Sequence, residues 1–434
     1  MSKTAQSSIH VSTFTGGLVG PSLSMLGPVA DGGTIVAETP PGCWGPMITP
    51  SFRGGHEVTQ PVAVEGAEVG DAIVIRIQDV RVTSMATASG TMSFVEDRYT
   101  ADPFVARHCP NCGTENPPSR MEGIGPGAVR CAKCGAEVNP FELTNGYTIV
   151  FDEERQMAVT VGPQVAEELA RDAAEVMALP QESEQHPIVA LCPADIAGAV
   201  TRLRPFLGNV GTTPAIDMPD SHNAGDFGQM LIDAPHDLGI PKAELEKRTD
   251  GHMDIDAVRA GAVLICPVKV PGGGVYVGDA HAMQGDGEIA GHTTDVSAEV
   301  SLQVSVLKGL TLGGPMLLPL LEDLPPLARP HTAAEMKAAR RLAAKHGQGM
   351  IERNAPIQMV GTGATLNEAT DNGVARLAEL LSMSQEEVQN RVTFSGAVEI
   401  GRLPGVVGVT MLAPLDKLEE LGLADLVKRQ YHPT

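Results

Sequence analysis

The amino-acid sequence predicts a β-dominated α+β fold with a sandwich-like core, and three observations carry that prediction. Glycine (48) and proline (33) are abundant while aromatic residues make up only 3 % of the 434 positions, which suits many turns and short strands better than a helical bundle. Short runs rich in β-branched residues recur along the chain, each bounded by Gly, Pro or Asp. Helical patterns are few and bring their own start signals.

Taken in order, the expected strands are "GTIVAE" (33–38), "AIVIRIQDVRVTS" (72–84), "YTIVFD" (147–152), "QMAVTV" (156–161), "AVLICPVKVP" (262–271), "GVYVGD" (274–279) and "AEVSLQVSVLKG" (298–309). One helix is expected over "GPQVAEELARDAAEVMAL" (162–179), where Pro163 suits a first turn, and another over "TAAEMKAARRLAAKHG" (332–347), with Gly as its stop. In the stretch 365–399, Thr365 with Glu368 and Ser384 with Glu387 have capping-box spacing and start two further helices. The Pro- and Leu-rich "GLTLGGPMLLPLLEDLPPLARP" (309–330) reads as a connector lying on the surface of the core.

Charge narrows the function classes. With 31 basic against 53 acidic residues the net charge is −22, a field that repels phosphate backbones and anionic lipid. Neither nucleic acid nor a membrane is therefore an expected partner. The start "MSKTAQSSIHVSTFTGG" lacks the apolar core of a signal peptide and no apolar run reaches the roughly 20 residues of a spanning helix, so the expected location is the cytoplasm.

The segment "HCPNCGTENPPSRMEGIGPGAVRCAKCG" (108–135) places Cys109 and Cys112, then Cys131 and Cys134, each pair followed by Gly. Two CxxC pairs at this spacing suit one tetrahedral zinc, with the glycines turning backbone amides toward the thiolates. Such a closed four-thiolate site leaves no coordination position for chemistry, so it is assigned to folding or subunit contacts. The alternative is two disulfides or unpaired thiols, which a cytoplasmic chain with scattered Cys43, Cys192 and Cys266 disfavours.

Catalytic potential concentrates in "GVYVGDAHAMQGDGEIAGHTTDVSAEV" (274–300), which gathers Asp279, His281, Asp286, Glu288, His292 and Asp295. Acids and imidazoles this close cost desolvation energy or repel unless solvent, a metal or a substrate compensates them. Asp279 and His281 share a strand face at i, i+2, and the glycines after Gln284 allow a turn that brings further carboxylates to them. This set suits a divalent ion held by His and carboxylates with one position for water. The competing account is that the aspartates cap turns and His281 is a satisfied core histidine.

The stretches at 60–80, "RPFLGNVGTTPA" (204–215), 250–288 with its "GDAHAMQGDGE" block, and "VGTGATLNEATDNGVARLAELL" (360–381) resemble, in order, the motifs of the acetamidase/formamidase family. The resemblance implies hydrolysis of short aliphatic amides to a carboxylate and ammonia, on a β-rich scaffold with smaller α/β parts, in a homo-oligomer. Against it, the cysteine segment looks like an insertion. "TDGHMD" (249–254) stands where the family shows Gly-Gly-Asn-hydrophobic-Asp, so Asp254 matches and His252 replaces the Asn. An imidazole is the better metal ligand, which makes His252 and Asp254 candidates beside Asp279 and His281; the alternative is an exposed turn histidine. In "EIAGHTTD" (288–295), Ala290 takes the place of a family Cys and Asp295 that of a Glu. Without the thiol, attack by water replaces attack by cysteine, and a carboxylate shortened by one methylene shifts by roughly 1 Å, enough to alter the substrate.

The expected division is 1–104 as an N-terminal β-rich part, 105–140 as the zinc ribbon, 141–320 as the central catalytic part and 321–434 as a C-terminal α/β part. The expected metal ligands are Cys109, Cys112, Cys131 and Cys134 for a structural zinc, and His252, Asp254, Asp279 and His281 for a second divalent ion. Glu288, Asp286, Asp295 and His281 are the expected catalytic groups acting on a small-molecule amide. Two other functions compete: an altered relative serving as a binding or assembly module, and a hydrolase of a larger amide, lactam or ester. Glu38 with Trp44, the lone Trp, His56 with Glu57, and the polar loop residues His222, Asn223 and Asp226 have thinner grounds and stay outside the set. "VPGGGVYVG" (270–278) is not a phosphate loop, because no helix pattern or Lys-Ser/Thr follows it.

Overall fold

The computed structural model describes residues 5–42, 48–52, 55–94, 108–139, 141–220, 232–233 and 238–431. Strand pairing dominates them. Thirteen strands join one sheet, whose main path runs from Phe206–Thr212 through Val275–His281, Val62–Val64, Leu26–Thr39, Ala298–Leu307, Ala72–Val82, Val263–Pro267, Met316–Leu318 and Asn354–Thr362 to Val406–Pro414 and Ala397–Arg402. A separate four-stranded sheet holds Val200–Arg202, Met157–Val161, Phe141–Phe151 and Ala86–Phe94.

The central strands are apolar on both faces, and the pleat sorts their side chains into two cores. Ile73, Ile75, Ile77, Leu264 and Cys266 enter one cluster, while Ala72, Val74, Val263 and Ile265 enter the other. Helix Leu366–Leu381 and the C-terminal helix Ala424–Tyr431 cover the second cluster with Val374, Leu377, Leu426 and Val427. Around the first cluster the sheet folds over on itself, so that Phe206–Thr212, at one end of the path, packs across the core on Ala72–Val82 and Val263–Pro267. Strands of one hydrogen-bonded sheet thus meet across the first cluster. Each fully buried Val, Leu or Ile in it contributes about 1.5–3 kcal/mol.

The helix starts follow the sequence signals. Thr332 accepts from the Glu335 amide and the Glu335 carboxylate accepts from the Thr332 amide, while Thr365 and Ser384 accept from the Glu368 and Glu387 amides. Two expectations fail. The helix expected over 162–179 breaks into Pro163–Arg171 and Ala173–Val176, because Asp172 leaves helical geometry at ψ 36°. The connector expected at 309–330 contains an interior strand, Met316–Leu318, wholly buried between Val263–Pro267 and Asn354–Thr362. A surface position would leave its leucines in water; three-residue strands carry too little pattern to announce this. Among the described residues no helix is long and apolar enough to cross a membrane.

Candidate metal and catalytic sites

Strand Val275–His281 forms the floor of the candidate site, flanked by Phe206–Thr212 and by the short strand Asp295–Val296. Asp279 lies opposite Gly208, and a Cβ on Gly208 would approach its Oδ2 to 2.6 Å and strike the Asp254 carboxylate. A Cβ on Gly42 would fall on the other Asp279 oxygen. Glycine at both positions leaves the carboxylates their space. Asp279, Asp254 and Glu288 have left-handed backbone, with φ of 52°, 51° and 43°. For residues with a Cβ this costs on the order of 1–3 kcal/mol each, and such strain gathers where function constrains geometry.

Everything converges on Asp279. Its Oδ2 lies 3.7 Å from His252 Nε2 and 3.9 Å from His56 Nε2, and the two imidazoles meet edge to face at 4.4 Å. Its Oδ1 lies 3.1 Å from His281 Nε2, which is also 3.1 Å from Asp295 Oδ1. Asp254 Oδ2 is 2.9 Å from His252 Nε2 and 2.6 Å from Arg402 Nε. The ligand atoms of His56, His252 and Asp279, and those of Asp254, Asp279 and His281, form two groups tight enough to hold an ion, joined by Asp279. All these side chains are at most 2 % exposed.

The histidines differ in what surrounds them. His56 Nδ1 faces Asp220 Oδ2 at 3.2 Å, which turns Nε2 to Asp279 and His252. Gln284 donates its amide to the carbonyls of Asp254 and Gly401, at 2.8 and 3.2 Å, so its Oε1 must face His281 Nδ1 at 3.1 Å. With acceptors on both ring nitrogens, His281 is an imidazolium that donates on both sides. Burial opposes that charge, but Asp279 and Asp295 outweigh it and raise the His281 pKa well above the ordinary value. His56 follows the same logic: burial lowers it, while Asp279 and Asp220 carry it up to about 9. His292, buried nearby, is pushed down to about 3 by burial and then by His281.

The carboxylates divide as well. Burial would raise Asp279 and Asp254, yet His56 and His281 hold Asp279 far below the carboxylate range, and His252 and Arg402 hold Asp254 down. Burial prevails at Glu288 and Asp295 and raises both. Glu288 is 3 % exposed and neither of its oxygens has a hydrogen bond among the described residues. Within one cluster Asp279 and Asp254 are thus shifted down and Glu288 and Asp295 up, the direction in which acid and base roles separate.

Most of the residues singled out from sequence meet here: His252, Asp254, Asp279, His281 and Asp295 are in direct contact, and Glu288 is buried beside them. Asp286 does not. Gly287 donates to Ile400 O and its own carbonyl accepts from Leu403 N, which holds the turn so that Asp286 is exposed on the far side, lining a small cavity with Asp256 and Glu399. There burial and then Asp286 push Glu399 up to about 7. Glu38 also points away, half-exposed and 3.9 Å from His10, because strand alternation turns Ala37 and Thr39 inward. His56 joins the cluster, against expectation. Asn209, Asp220, Gln284 and Arg402 escaped sequence reasoning: Asn209 lay within a quoted motif, Gln284 within the acidic block, and Arg402 had no local signal. Cys43, Trp44, His222, Asn223 and Asp226 lie outside the described residues.

The four cysteines form a second, separate group. Cys109 Sγ lies 3.5 Å from Cys134 Sγ and Cys112 Sγ 4.0 Å from Cys131 Sγ, against about 3.8 Å between thiolates around a tetrahedral zinc. The two CxxC turns repeat one another: Gly113 N donates to Cys109 O and Cys109 N to Thr114 O, as Gly135 N does to Cys131 O and Cys131 N to Ala136 O. Gly113 and Gly135 take φ of 66° and 76° to make these turns.

The family profile "Acetamidase/Formamidase family" matches residues 43–244 and 240–419. The chain belongs to the acetamidase/formamidase family. Solved structures agree in fold: a predicted acetamidase/formamidase from Thermoanaerobacter tengcongensis has 16 % identity and a TM-score of 0.51 over 96 % of this chain and 98 % of that one. An acetamidase from Bacillus halodurans has 16 % identity and a TM-score of 0.52, covering 96 % and 99 %, and one from Yersinia enterocolitica 16 % and 0.51, covering 95 % and 93 %. At such identities the likeness speaks for the fold alone. No curated protein matches the sequence. Within this family member, the described cluster draws on two of the four stretches whose sequence resembles family motifs, at 204–215 and 250–288, and Thr362 of a third, 360–381, donates to Asp250, two residues before His252.

Proposed function

We propose that this family member hydrolyses a small linear amide to a carboxylate and ammonia at the Asp279 cluster, assisted by a divalent ion. The observation that carries the reading is the meeting of two imidazoles and a carboxylate, His56, His252 and Asp279, in a fully buried group with ligand atoms within 4.8 Å of one another. Imidazole with carboxylate suits zinc or a similar ion. When bound, such an ion supplies an activated water and withdraws charge from an amide carbonyl.

The protein groups do the rest. Asp220 accepts a hydrogen bond from His56 Nδ1 and so would fix Nε2 toward the ion's place. Asp254 orients His252, and Arg402 in turn balances Asp254. His281 keeps both ring protons, because Nε2 lies 3.1 Å from Asp279 and from Asp295 and Nδ1 3.1 Å from Gln284, whereas His56 Nε2 lies 3.9 Å from Asp279, so its proton would yield to the ion. Glu288, whose pKa burial raises, gives its proton to the leaving nitrogen and recovers one from the attacking water, and the carboxylic acid product then ionises in solvent. Four thiolates at the cysteine group hold a structural zinc outside this chemistry.

The test is metal content per chain, with ammonia release from amides of increasing size measured before and after chelation. A chelator-sensitive ion whose loss stops ammonia release supports the reading, and the panel defines the substrate. Undiminished release from metal-free protein refutes it.

A further inference from the structure

The cysteine hairpin, Ser119–Met121 paired with Val129–Cys131, rests on the segment 183–192, which touches the catalytic side with its other edge. On the hairpin side, Ser119 Oγ lies 2.7 Å from His186 Nε2, Gly125 N donates to Ala190 O, and Met121 packs against the buried cluster that includes Val189 and Ala190. On the other side, Gln185 donates to the carbonyl of Pro41 at 2.5 Å, and the His186 amide donates to Thr49 Oγ1 at 3.1 Å. Glu57 accepts from Ser183 Oγ at 2.6 Å and from the Glu184 amide at 3.0 Å. Ile188 and Leu191 pack on Ile48. Pro41 precedes Gly42, which lies against the Asp279 carboxylate, and Glu57 follows His56. One strap therefore bonds the cysteine hairpin to both backbone segments that close over Asp279.

We infer that a zinc bound by Cys109, Cys112, Cys131 and Cys134 acts as a remote clamp on the catalytic site, holding His56 and Gly42 against Asp279 through residues 183–192. Among the described residues the hairpin's apolar cluster has four buried members, Cys109, Val129, Cys131 and Val138, with Cys112, Met121 and Ala136 against them, too small to stay folded by itself, so its two states would be set by metal. Binding converts the thiols to thiolates and releases their protons. Unfolding of the hairpin removes the Ser119, Met121 and Gly125 contacts at once, and the strap then holds Pro41, Thr49 and Glu57 with one edge unsupported. The position of His56 is tied to the strap through Glu57, which makes Ser119, His186 and Gln185 positioning residues. The effect on turnover rests on the amidase reading; the clamp itself does not.

The experiment compares the full-length wild-type chain with Cys112→Ser and Ser119→Ala. Zinc per chain is measured, cobalt(II) is tried in zinc's place for thiolate charge-transfer bands, and hydrogen exchange is followed at the Glu184 and His186 amides. Cys112→Ser is expected to lose the thiolate-bound metal and to exchange these amides about tenfold faster, while strand Ala298–Leu307 keeps its protection. Ser119→Ala should keep the metal and show a smaller acceleration at the same amides. Amide-hydrolysis kcat should fall in the same order, with KM changing less. Removal of zinc from the wild type by a mercurial gives the same reading should Cys112→Ser fail to fold. Unchanged Glu184 and His186 exchange after the ribbon metal is gone, or a wild type that binds no metal through thiolates, overturns the clamp. Metal-dependent exchange in a chain that releases no ammonia from any amide would keep the clamp and refute the amidase reading instead.

Discussion

The cysteine group and the Asp279 cluster both gather metal-binding side chains, but they are assembled in opposite ways. The thiols come from two turns between positions 109 and 134, each closed by its own amide-to-carbonyl bonds. The Asp279 cluster draws on residues from 56 to 402, carried by strands of the large sheet and the loops between them. Among the described residues the thiols share a small apolar cluster with Val129 and Val138, so an ion bound there would carry part of the fold; Asp279 sits beside a large core, so the fold places its donors before any ion arrives. A local site would depend on a bound metal for structure, and a convergent site depends on the sheet for geometry.

The largest expected effect separates the two directly. Asp279→Ala removes the carboxylate shared by both groups and should lower kcat/KM for amide hydrolysis by about 10²-fold or more, with loss of the chelator-sensitive ion and retention of the thiolate zinc. Elemental analysis of the variant checks this; loss of both ions would show that the two regions are one folding unit. Glu288→Gln comes next. It should leave both ions in place and reduce kcat by about 10²–10⁴-fold, as removal of a general acid does, and a fully active variant would exclude Glu288 from the chemistry. Asp220→Asn is expected to weaken the cluster's ion by about 10–100-fold through His56 while leaving the thiolate site unchanged. Chelator competition measures that affinity, and an unaltered value would remove His56 from the ligand set.

The same contrast explains what was legible in the sequence. A CxxC pair repeated with Gly behind it carries its geometry in its spacing, since i, i+3 thiols on a tight turn face one point. The GDAHAMQGDGE block was similarly readable, for Asp279 and His281 share a strand face by alternation. Asp286 and Glu288 also sit two apart, yet the turn pinned by Ile400 and Leu403 sends one outward and buries the other; that pin is a long-range contact with no trace in the local pattern. His56, Asp220 and Arg402 were opaque for the same reason, because each reaches Asp279 or its neighbours only through sheet register and loop closure. The β-rich class followed from composition and alternation, whereas the folding of one sheet over itself depends on which strands pair, and short apolar strands such as Met316–Leu318 do not encode their neighbours.

Acid provides the smallest and most specific test, because it probes the frame outside both sites. Asp71 at the head of Ala72–Val82 lies 2.7 Å from Lys308 Nζ and accepts the Gly309 amide at 2.8 Å, which ties that strand to the end of Ala298–Leu307. The Lys308 ammonium, then the Gly309 amide, lower its pKa from 3.8 to about 2. A carboxyl whose folded-state pKa is depressed stabilises the fold above its unfolded value and loses that contribution as pH falls toward the folded one. Asp71→Asn should therefore be slightly less stable than wild type near neutrality, and the two should converge between pH 3.8 and about 2. Chemical unfolding at a series of pH values reads the difference. If it instead closes well above pH 4, the acid response belongs to the Asp279 cluster or the thiolate turns, and the frame is not independent of the sites it carries.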